Sequence, residues 1–256
     1  MLSIILPTIR LERLPKLIQS INESYHSEYE LICVSPYEMP QGLYLFMPNI
    51  KWVVDKGNSV RCQQIGLTHA EGLYVHRAVD DSLYEPNALD EAMDLARPYN
   101  IVITKHTETN DQVDKTHPCF QDMADEKFFK FSYHKQTIRK YVPEDGLIIN
   151  FGIYPTALLK EMGGWDSVNF ESIALAEVDL SVRAKFKNVP TVLSNRIVLC
   201  CGWMPGIEGD HAPMHHAFPV DLNKYNSIYD DISCWDRVNI DINNWKKSPD
   251  IWARRF

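Results

Sequence analysis

The sequence predicts an α/β fold in a single domain, with a mostly parallel central sheet flanked by helices. Through the first hundred residues, short apolar runs alternate with segments whose apolar side chains recur at the helical period. That alternation indicates strand–helix–strand units and parallel strand pairing. The chain has 256 residues, of which 45% are hydrophobic, and this is enough for one large domain with a substantial core.

The elements of the first hundred residues follow from these patterns. The opening apolar run ends at Pro7, where the first strand leaves the sheet, and apolar residues from Leu11 to Ile21 share one helical face. The predicted order is a strand at 2–6, a helix at 11–22, strands at 29–34 and 51–54, a helix at 60–69, a strand at 72–79, a helix at 87–96 and a strand at 100–104. Ligands of such a sheet bind beyond the carboxyl ends of its strands, so the residues that follow each strand are the first candidates for function.

The pattern is weaker in the second part of the chain. Segment 108–143 is polar with a basic and aromatic run, which favours a surface helix with solvated charges; a lid or an acceptor-side insertion is the alternative. A strand at 146–151, helices at 156–162 and 174–185, and strand-rich structure at 190–201 follow. Gly163-Gly164 ends the first of these helices. In the C-terminal segment, only a short helix near Ile228 is predicted.

Charge and cysteine usage argue against several classes of protein. The formal net charge of −8 is unfavourable for binding nucleic acid, because phosphates require a basic surface. None of the six cysteines forms a CxxC pair, which argues against a zinc knuckle and is typical of a reducing compartment. The first residues lack the basic segment of a signal peptide, and no apolar run reaches the roughly 18–20 residues that span a bilayer. We therefore expect a cytoplasmic protein with at most peripheral membrane association.

The first group of candidate functional residues is Val79-Asp80-Asp81-Ser82, which follows a predicted strand. Adjacent carboxylates repel each other and are best stabilised by a cation. Mg²⁺ and Mn²⁺ prefer oxygen ligands and can bridge such carboxylates to a diphosphate. The alternative is a solvated turn, since Asp favours turns.

The second group is Gly163-Gly164-Trp165-Asp166, followed by Glu177 and Asp179 near a predicted helix start. A carboxylate at this position is able to deprotonate an acceptor hydroxyl. The alternative is an acidic helix N-terminus, which the helix dipole stabilises.

The third group is Asp210-His211 with His215-His216. Clustered histidines ligate metals or act as acid–base groups. Their spacing is not that of a HExxH zinc protease.

These motifs, in this order, resemble the family 2 glycosyltransferases, which have the GT-A fold, a Rossmann-like sheet of the kind predicted above. The resemblance spans some 180 residues, and the order and spacing of its motifs are more specific than any one of them. The segments that carry it are 3–8, 70–75, Asp80-Asp81, 83–89, 163–166 and 177–183.

The resemblance implies an inverting, metal-dependent transfer of sugar from a UDP-, GDP- or dTDP-sugar to a glycan or lipid-linked acceptor in surface glycan synthesis. Glu177 takes the position of the catalytic base, and Asp81 takes that of the metal-binding Asp, with His211 as a further ligand of Mn²⁺ or Mg²⁺. Residues 1–105 form the donor-binding half and 106–256 the acceptor-side half. The residues expected to bind the donor are Pro7, Thr8, Arg10, Asp55, Arg61 and Asp80.

The chain departs from the family pattern at several motif positions. Val79 stands where the first metal-binding Asp is usual, and Gln63-Gln64 replaces an Arg-Asn pair, for which Arg61 supplies the positive charge. Ser35-Pro36 replaces the acidic residue that contacts the nucleotide base, and Ala176-Glu177 keeps one carboxylate of a usual pair.

These departures leave a rival hypothesis, a catalytically inactive GT-A-like module that binds a sugar or a protein. A nucleotidyltransferase is disfavoured, because residues 7–14 contain no glycine.

Overall fold

A mixed sheet of eight strands forms the centre of the part of the chain that the computed structural model describes, namely residues 1–45, 47–108, 149, 151–200, 212–229 and 240–246. The spatial order is β3-β2-β1-β4-β7-β6-β8-β5. The strands are β1 (Leu2–Pro7), β2 (Tyr29–Ser35), β3 (Ile50–Val54), β4 (Tyr74–Arg77), β5 (Ser82–Tyr84), β6 (Ile101–Glu108), β7 (Ile153–Pro155) and β8 (Thr191–Cys200).

Parallel pairing dominates this sheet, as the sequence predicts. β1 pairs in parallel with both β2 and β4, β2 with β3, and β6 with β8. The antiparallel contacts are those of β7 with β4 and β6, and of β5 with β8. The carboxyl ends of β1, β2, β3 and β4 therefore lie along one edge of the sheet.

Helices cover both faces of the sheet. Alternate side chains of each strand point to opposite faces, so each face has its own core. On β1, Ile5 packs into the core under one set of helices, whereas Ile4 and Leu6 pack into the core on the other face. The first face carries α2 (Ser59–His69), α4 (Thr156–Glu161), α5 (Ile173–Phe186) and α6 (Ala212–Ile228), and the second carries α1 (Leu14–Ser24) and α3 (Ala88–Leu95). None of the helices in the described ranges combines the length and the apolar character needed to cross a membrane.

Two predicted elements differ from the structure. In the strand predicted at 146–151, the described residues Ile149 and Phe151 lie outside any strand, and β7 begins at Ile153. Phe151 has a φ of 49°, a left-handed conformation that a strand does not contain. The short helix expected near Ile228 is the last part of the 17-residue α6, whose interior Pro219 disguises the helical pattern. Segment 109–148 lies outside the described residues, so the interpretation of that segment stays a prediction.

Buried hydrogen bonds fix the turn at Gly163-Gly164. Both glycines have a positive φ, and a Cβ on Gly163 would lie 2.0 Å from the Ile240 carbonyl oxygen. The fully buried Arg183 donates to the carbonyls of Met162 (2.7 Å) and Gly164 (2.6 Å) and to Asp179 (2.9 Å).

Gln64 holds the same turn from α2. Its Nε2 donates to the Gly163 and Ile242 carbonyls, each at 2.7 Å, and its Oε1 accepts from the Trp165 amide at 2.9 Å. The contacts of Gln64 and Arg183 join the turn to α2 and α5. They give a structural role to Gln64 and Asp179, which both lie at motif positions of the family that the sequence resembles.

Removing the Arg183 guanidinium should destabilise the fold strongly, because Asp179 would then be a buried charge without its ion-pair partner. We expect Arg183→Met to lower the free energy of unfolding by about 3–5 kcal/mol, measured by urea denaturation. Arg196→Met is the matched control, since Arg196 is 42% exposed and pairs with Glu85 at 3.4 Å. That control should change stability by less than about 1 kcal/mol. Equal losses in the two variants would contradict a stabilising role for the buried network.

Candidate functional site

The loops that follow β1 and β4 are tied together by Asp80. Its Oδ2 accepts hydrogen bonds from Thr8 Oγ1 (3.1 Å) and from the backbone amides of Ile9 (2.8 Å) and Arg10 (3.0 Å). Its Oδ1 accepts from the Arg10 guanidinium. Pro7 ends β1, and the amide of the next residue, Thr8, donates to the Val34 carbonyl of β2 at 2.9 Å. The structure therefore places Pro7, Thr8, Arg10 and Asp80, four predicted donor-binding residues, together at the carboxyl edge of the sheet.

Asp81 shares the same arginine. Nη1 of Arg10 lies 3.7 Å from Asp81 Oδ2, in addition to its contact with Asp80. The side chains of Asp80 and Asp81 are 7% and 6% exposed. The repulsion between the two adjacent carboxylates is thus offset by a guanidinium that the chain itself supplies.

In the structure, the Arg10 guanidinium lies beside the Asp80-Asp81 pair, where a divalent cation would otherwise balance the charge. Asp80 Oδ2 already accepts three hydrogen bonds from the loop after β1, whereas Oδ1 accepts one, from Arg10. No group of three or more His, Cys, Asp or Glu side chains suited to a metal occurs within the described ranges. His211 lies outside those ranges, so binding of Mn²⁺ or Mg²⁺ by Asp81 and His211 stays a prediction.

Glu177 lies in the second turn of α5, where it is buried and paired with Arg77. Arg77 Nη1 is 2.9 Å from Glu177 Oε1, an ion-pair distance without hydrogen-bond geometry, and each side chain is 5% exposed. The Arg77 guanidinium also lies 4.9 Å from the centre of the Phe151 ring. Burial raises the pKa of Glu177 to about 7, and the positive charge of Arg77 limits that rise.

The Arg77–Glu177 pair joins two motifs that are far apart in sequence. Arg77 is the last residue of β4 and precedes Asp80 by three positions. Tyr154 on β7 is a further neighbour of Glu177. Burial raises the pKa of the Tyr154 hydroxyl, and the negative charge of Glu177 adds to this effect. Glu177 is therefore held against the strand that leads to the Asp pair, as a shared site requires.

Asp55 and Arg61 form a separate pair at the carboxyl end of β3. Arg61 donates to Asp55 through Nε (3.0 Å) and Nη2 (3.0 Å). Its Nη1 donates to the Trp245 carbonyl at 2.6 Å, and its guanidinium lies 5.3 Å from the centre of the Trp245 ring. Both predicted donor-binding residues thus lie on the same edge of the sheet, where Asp55 balances the charge of Arg61.

Sequence reasoning missed Arg77, Tyr154 and Trp245. The available signal for Arg77 was a charged residue inside a predicted apolar strand, which requires a buried partner. The Trp245 contact carried no comparable signal, because it depends on how the C-terminal segment returns to α2.

The fold of the chain matches solved structures of S. aureus TarS. No family model matches the chain, and no curated protein sequence does. TarS 1-349 in complex with UDP-GlcNAc has a TM-score of 0.54 at 16% identity, covering 93% of this chain and 70% of that one. The complex with UDP has a TM-score of 0.51 at 19% identity, covering 77% of this chain and 57% of that one. The chain has the GT-A fold.

A third structure, TarS 1-349, gives a TM-score of 0.52 at 18% identity, covering 88% of this chain and 72% of that one. TarS is a family 2 glycosyltransferase, so the likeness that the motifs indicate is confirmed at the level of the fold. The chain spans little more than half the length of the TarS structure with UDP, and likeness at this identity is evidence of fold alone.

The buried Glu177 should make stability depend on pH. Its pKa is about 7 in the folded protein and ordinarily 4.5, so the folded protein binds the proton more tightly between these values. Stability therefore falls as pH rises from about 4.5 to about 7. Glu177→Gln removes this titration. We expect the free energy of unfolding of the variant, relative to the wild type, to rise by about 3 kcal/mol across that window, measured by urea denaturation at a series of pH values.

Glu161→Gln is the control, because the Glu161 side chain is 65% exposed. It should follow the wild-type pH curve. A Glu177→Gln variant whose pH curve runs parallel to that of the wild type would contradict the raised pKa.

Proposed function

We propose that this protein transfers a sugar from a nucleoside diphosphate sugar to a hydroxyl group of a glycan or lipid-linked acceptor, with inversion at the anomeric carbon. The observation that carries the proposal is the contact between Arg77 and Glu177. It brings the candidate base, Glu177, next to β4, the strand that precedes the Asp pair. α/β proteins bind ligands at this edge of the sheet. The TarS complexes with UDP and UDP-GlcNAc support a nucleotide sugar as the donor.

Glu177 is the proposed general base. A pKa of about 7 leaves a substantial fraction of the carboxylate ionised near neutral pH while keeping it basic enough to take a proton. In the proposed step, the acceptor hydroxyl gives its proton to Glu177 as its oxygen forms a bond to the anomeric carbon. The bond from that carbon to the diphosphate oxygen breaks, and the nucleoside diphosphate leaves. One such displacement inverts the configuration of the sugar.

Arg77 is the proposed positioning residue for this base. Its guanidinium is held between Glu177 and the Phe151 ring, which fixes the direction from which it approaches the carboxylate. Its positive charge favours the ionised form and counteracts burial. Without Arg77, the pKa of Glu177 would be higher, and a smaller fraction of the carboxylate would be ionised and able to accept a proton near neutral pH.

The loop that follows β1 is the proposed contact for the nucleotide. It carries Pro7, Thr8 and Arg10, and it is held close to the Asp pair by the hydrogen bonds to Asp80. We place a UDP-sugar first among the donors because of the TarS complexes, with GDP- and dTDP-sugars as alternatives. Residues 1–105 then serve the donor and 106–256 the acceptor, and surface glycan synthesis is the proposed process.

An inactive GT-A-like module that binds a sugar or a protein is the second candidate. The hydrogen bonds from the loop after β1 to Asp80 favour it, because that carboxylate acts within the fold rather than toward a ligand. Catalysis is nonetheless the better-supported proposal, because carboxylates whose pKa is raised by burial beside a specific charge cluster at functional sites, and TarS structures of the same fold are complexes with UDP and UDP-GlcNAc.

Nucleotide binding tests the donor side of the proposal. A ligand that binds only the folded protein raises its stability by RT ln(1 + [L]/Kd), and its melting temperature rises accordingly. Nucleoside diphosphates and their sugars should be screened by thermal shift, with Mn²⁺ and separately with EDTA. We expect UDP or a UDP-sugar at 100-fold its Kd to stabilise the protein by about 2.7 kcal/mol. A well-folded sample that no nucleotide stabilises would contradict the proposed donor class.

Glu177→Gln tests the catalytic side. Loss of a general base lowers the rate by about 100- to 10,000-fold, while binding of the donor should stay within a few-fold of the wild type. The wild-type transfer rate should rise with pH through about 7, the pKa of Glu177. Glu161→Gln is the control and should transfer sugar normally. A Glu177→Gln variant with a near wild-type rate would exclude Glu177 as the base.

A further inference from the structure

Arg10 presents one nitrogen atom to two carboxylates. Its Nη1 contacts Asp80 Oδ1 and lies 3.7 Å from Asp81 Oδ2. A cation between oxygens of two adjacent Asp residues is the arrangement that a divalent metal would adopt there. In this protein the cation is part of the chain.

Hydrogen bonds on both sides of Arg10 hold its backbone, and this positions its guanidinium beside Asp80 and Asp81. Its amide donates to Asp80 at 3.0 Å, and its carbonyl accepts from the Arg13 amide at 3.0 Å in the turn that begins at Leu11. The Arg10 side chain is only 13% exposed. Because the backbone of Arg10 is already held in place, pairing its guanidinium with the carboxylates costs less entropy than binding an ion from solution. This favours the pair.

Protonation adds to this advantage. A guanidinium stays charged at every pH at which proteins fold, whereas a lysine or histidine at this position would release its proton under some conditions. A metal ion that binds Asp80 must displace Arg10 and leave the guanidinium partly buried without that partner. Displacement of a partly buried ion-pair member is costly.

We propose that Arg10 is the resident counter-ion of the Asp80-Asp81 pair and occupies the place of a divalent metal, so that the pair binds no metal until the guanidinium is removed. Arg10 thereby masks two carboxylates whose oxygens are ligands of the kind that Mn²⁺ and Mg²⁺ prefer. This inference concerns the protein without nucleotide and does not rest on the proposed transfer reaction.

The test measures binding of Mn²⁺ alone, by isothermal titration and by the electron paramagnetic resonance signal of free Mn²⁺, with no nucleotide present. We expect Arg10→Met to bind Mn²⁺ at least tenfold more tightly than the wild type. Adding Asp81→Asn to Arg10→Met should abolish the gain. Arg61→Met is the matched control, since Arg61 also pairs with an aspartate on the same edge but does not contact the Asp pair. It should bind Mn²⁺ as the wild type does.

Equal Mn²⁺ affinities in the wild type and a folded Arg10→Met variant would overturn the proposal. A second comparison needs no change at Arg10, in case its replacement prevents folding. Asp81→Asn in the wild-type background should leave Mn²⁺ binding unchanged, because the pair holds no metal while Arg10 is present. A loss of Mn²⁺ binding in that single variant would also overturn the proposal. Neither comparison involves a nucleotide or transfer, so each distinguishes failure here from failure of the proposed function.

Discussion

Buried negative charge is the constraint around which this structure is organised. A carboxylate taken out of water is strongly unfavourable unless a partner compensates it, and the carboxylates of the sheet edge and of the Gly163-Gly164 turn have arginines beside them. Asp80 contacts Arg10, and Glu177 contacts Arg77. The remaining pairs are Asp55 with Arg61 and Asp179 with Arg183. Every one of these pairs connects separate parts of the fold or fixes a turn, so the same contacts that neutralise charge also place the loops at the sheet edge.

The hydrophobic pattern predicts the first half of the fold well, because β1 and β2 are buried on both faces and α1 and α3 are amphipathic. Prediction fails where a single backbone conformation decides the outcome. Phe151 has a positive φ that is incompatible with the strand expected there, and β5 has three residues and is too short to produce a pattern. α6 continues past its interior Pro219 while Phe218, Leu222 and Tyr225 pack into the core, a tertiary contribution that local propensity does not contain.

The candidate site divides in the same way. The order and spacing of the motifs single out Asp80, Asp81 and Glu177, because an Asp pair in a turn or a Glu near a helix start is not distinctive by itself. Their roles depend on neighbours that are distant in sequence. Asp80 binds the loop after β1 across about 70 residues, and this turns a candidate ligand into a residue that organises the loop. In the sequence, Gln64 replaces a residue of the family motif and so suggests a lost function. In the structure, it makes three hydrogen bonds that hold the Gly163-Gly164 turn.

Charge balance links the base to the Asp pair. The ion pairs of this edge contain three arginines (10, 61 and 77) and four carboxylates (55, 80, 81 and 177), so these seven groups carry a net charge of three minus four, or −1, when Glu177 is ionised. Protonation of Glu177 brings the sum to zero, and burial favours that form. A diphosphate adds further negative charge, so its binding at this edge requires an added cation or an arginine that changes partner. Arg77, whose charge acts on Glu177, lies three residues before Asp80, so the base and the Asp pair are connected through the end of β4 and the loop that follows it.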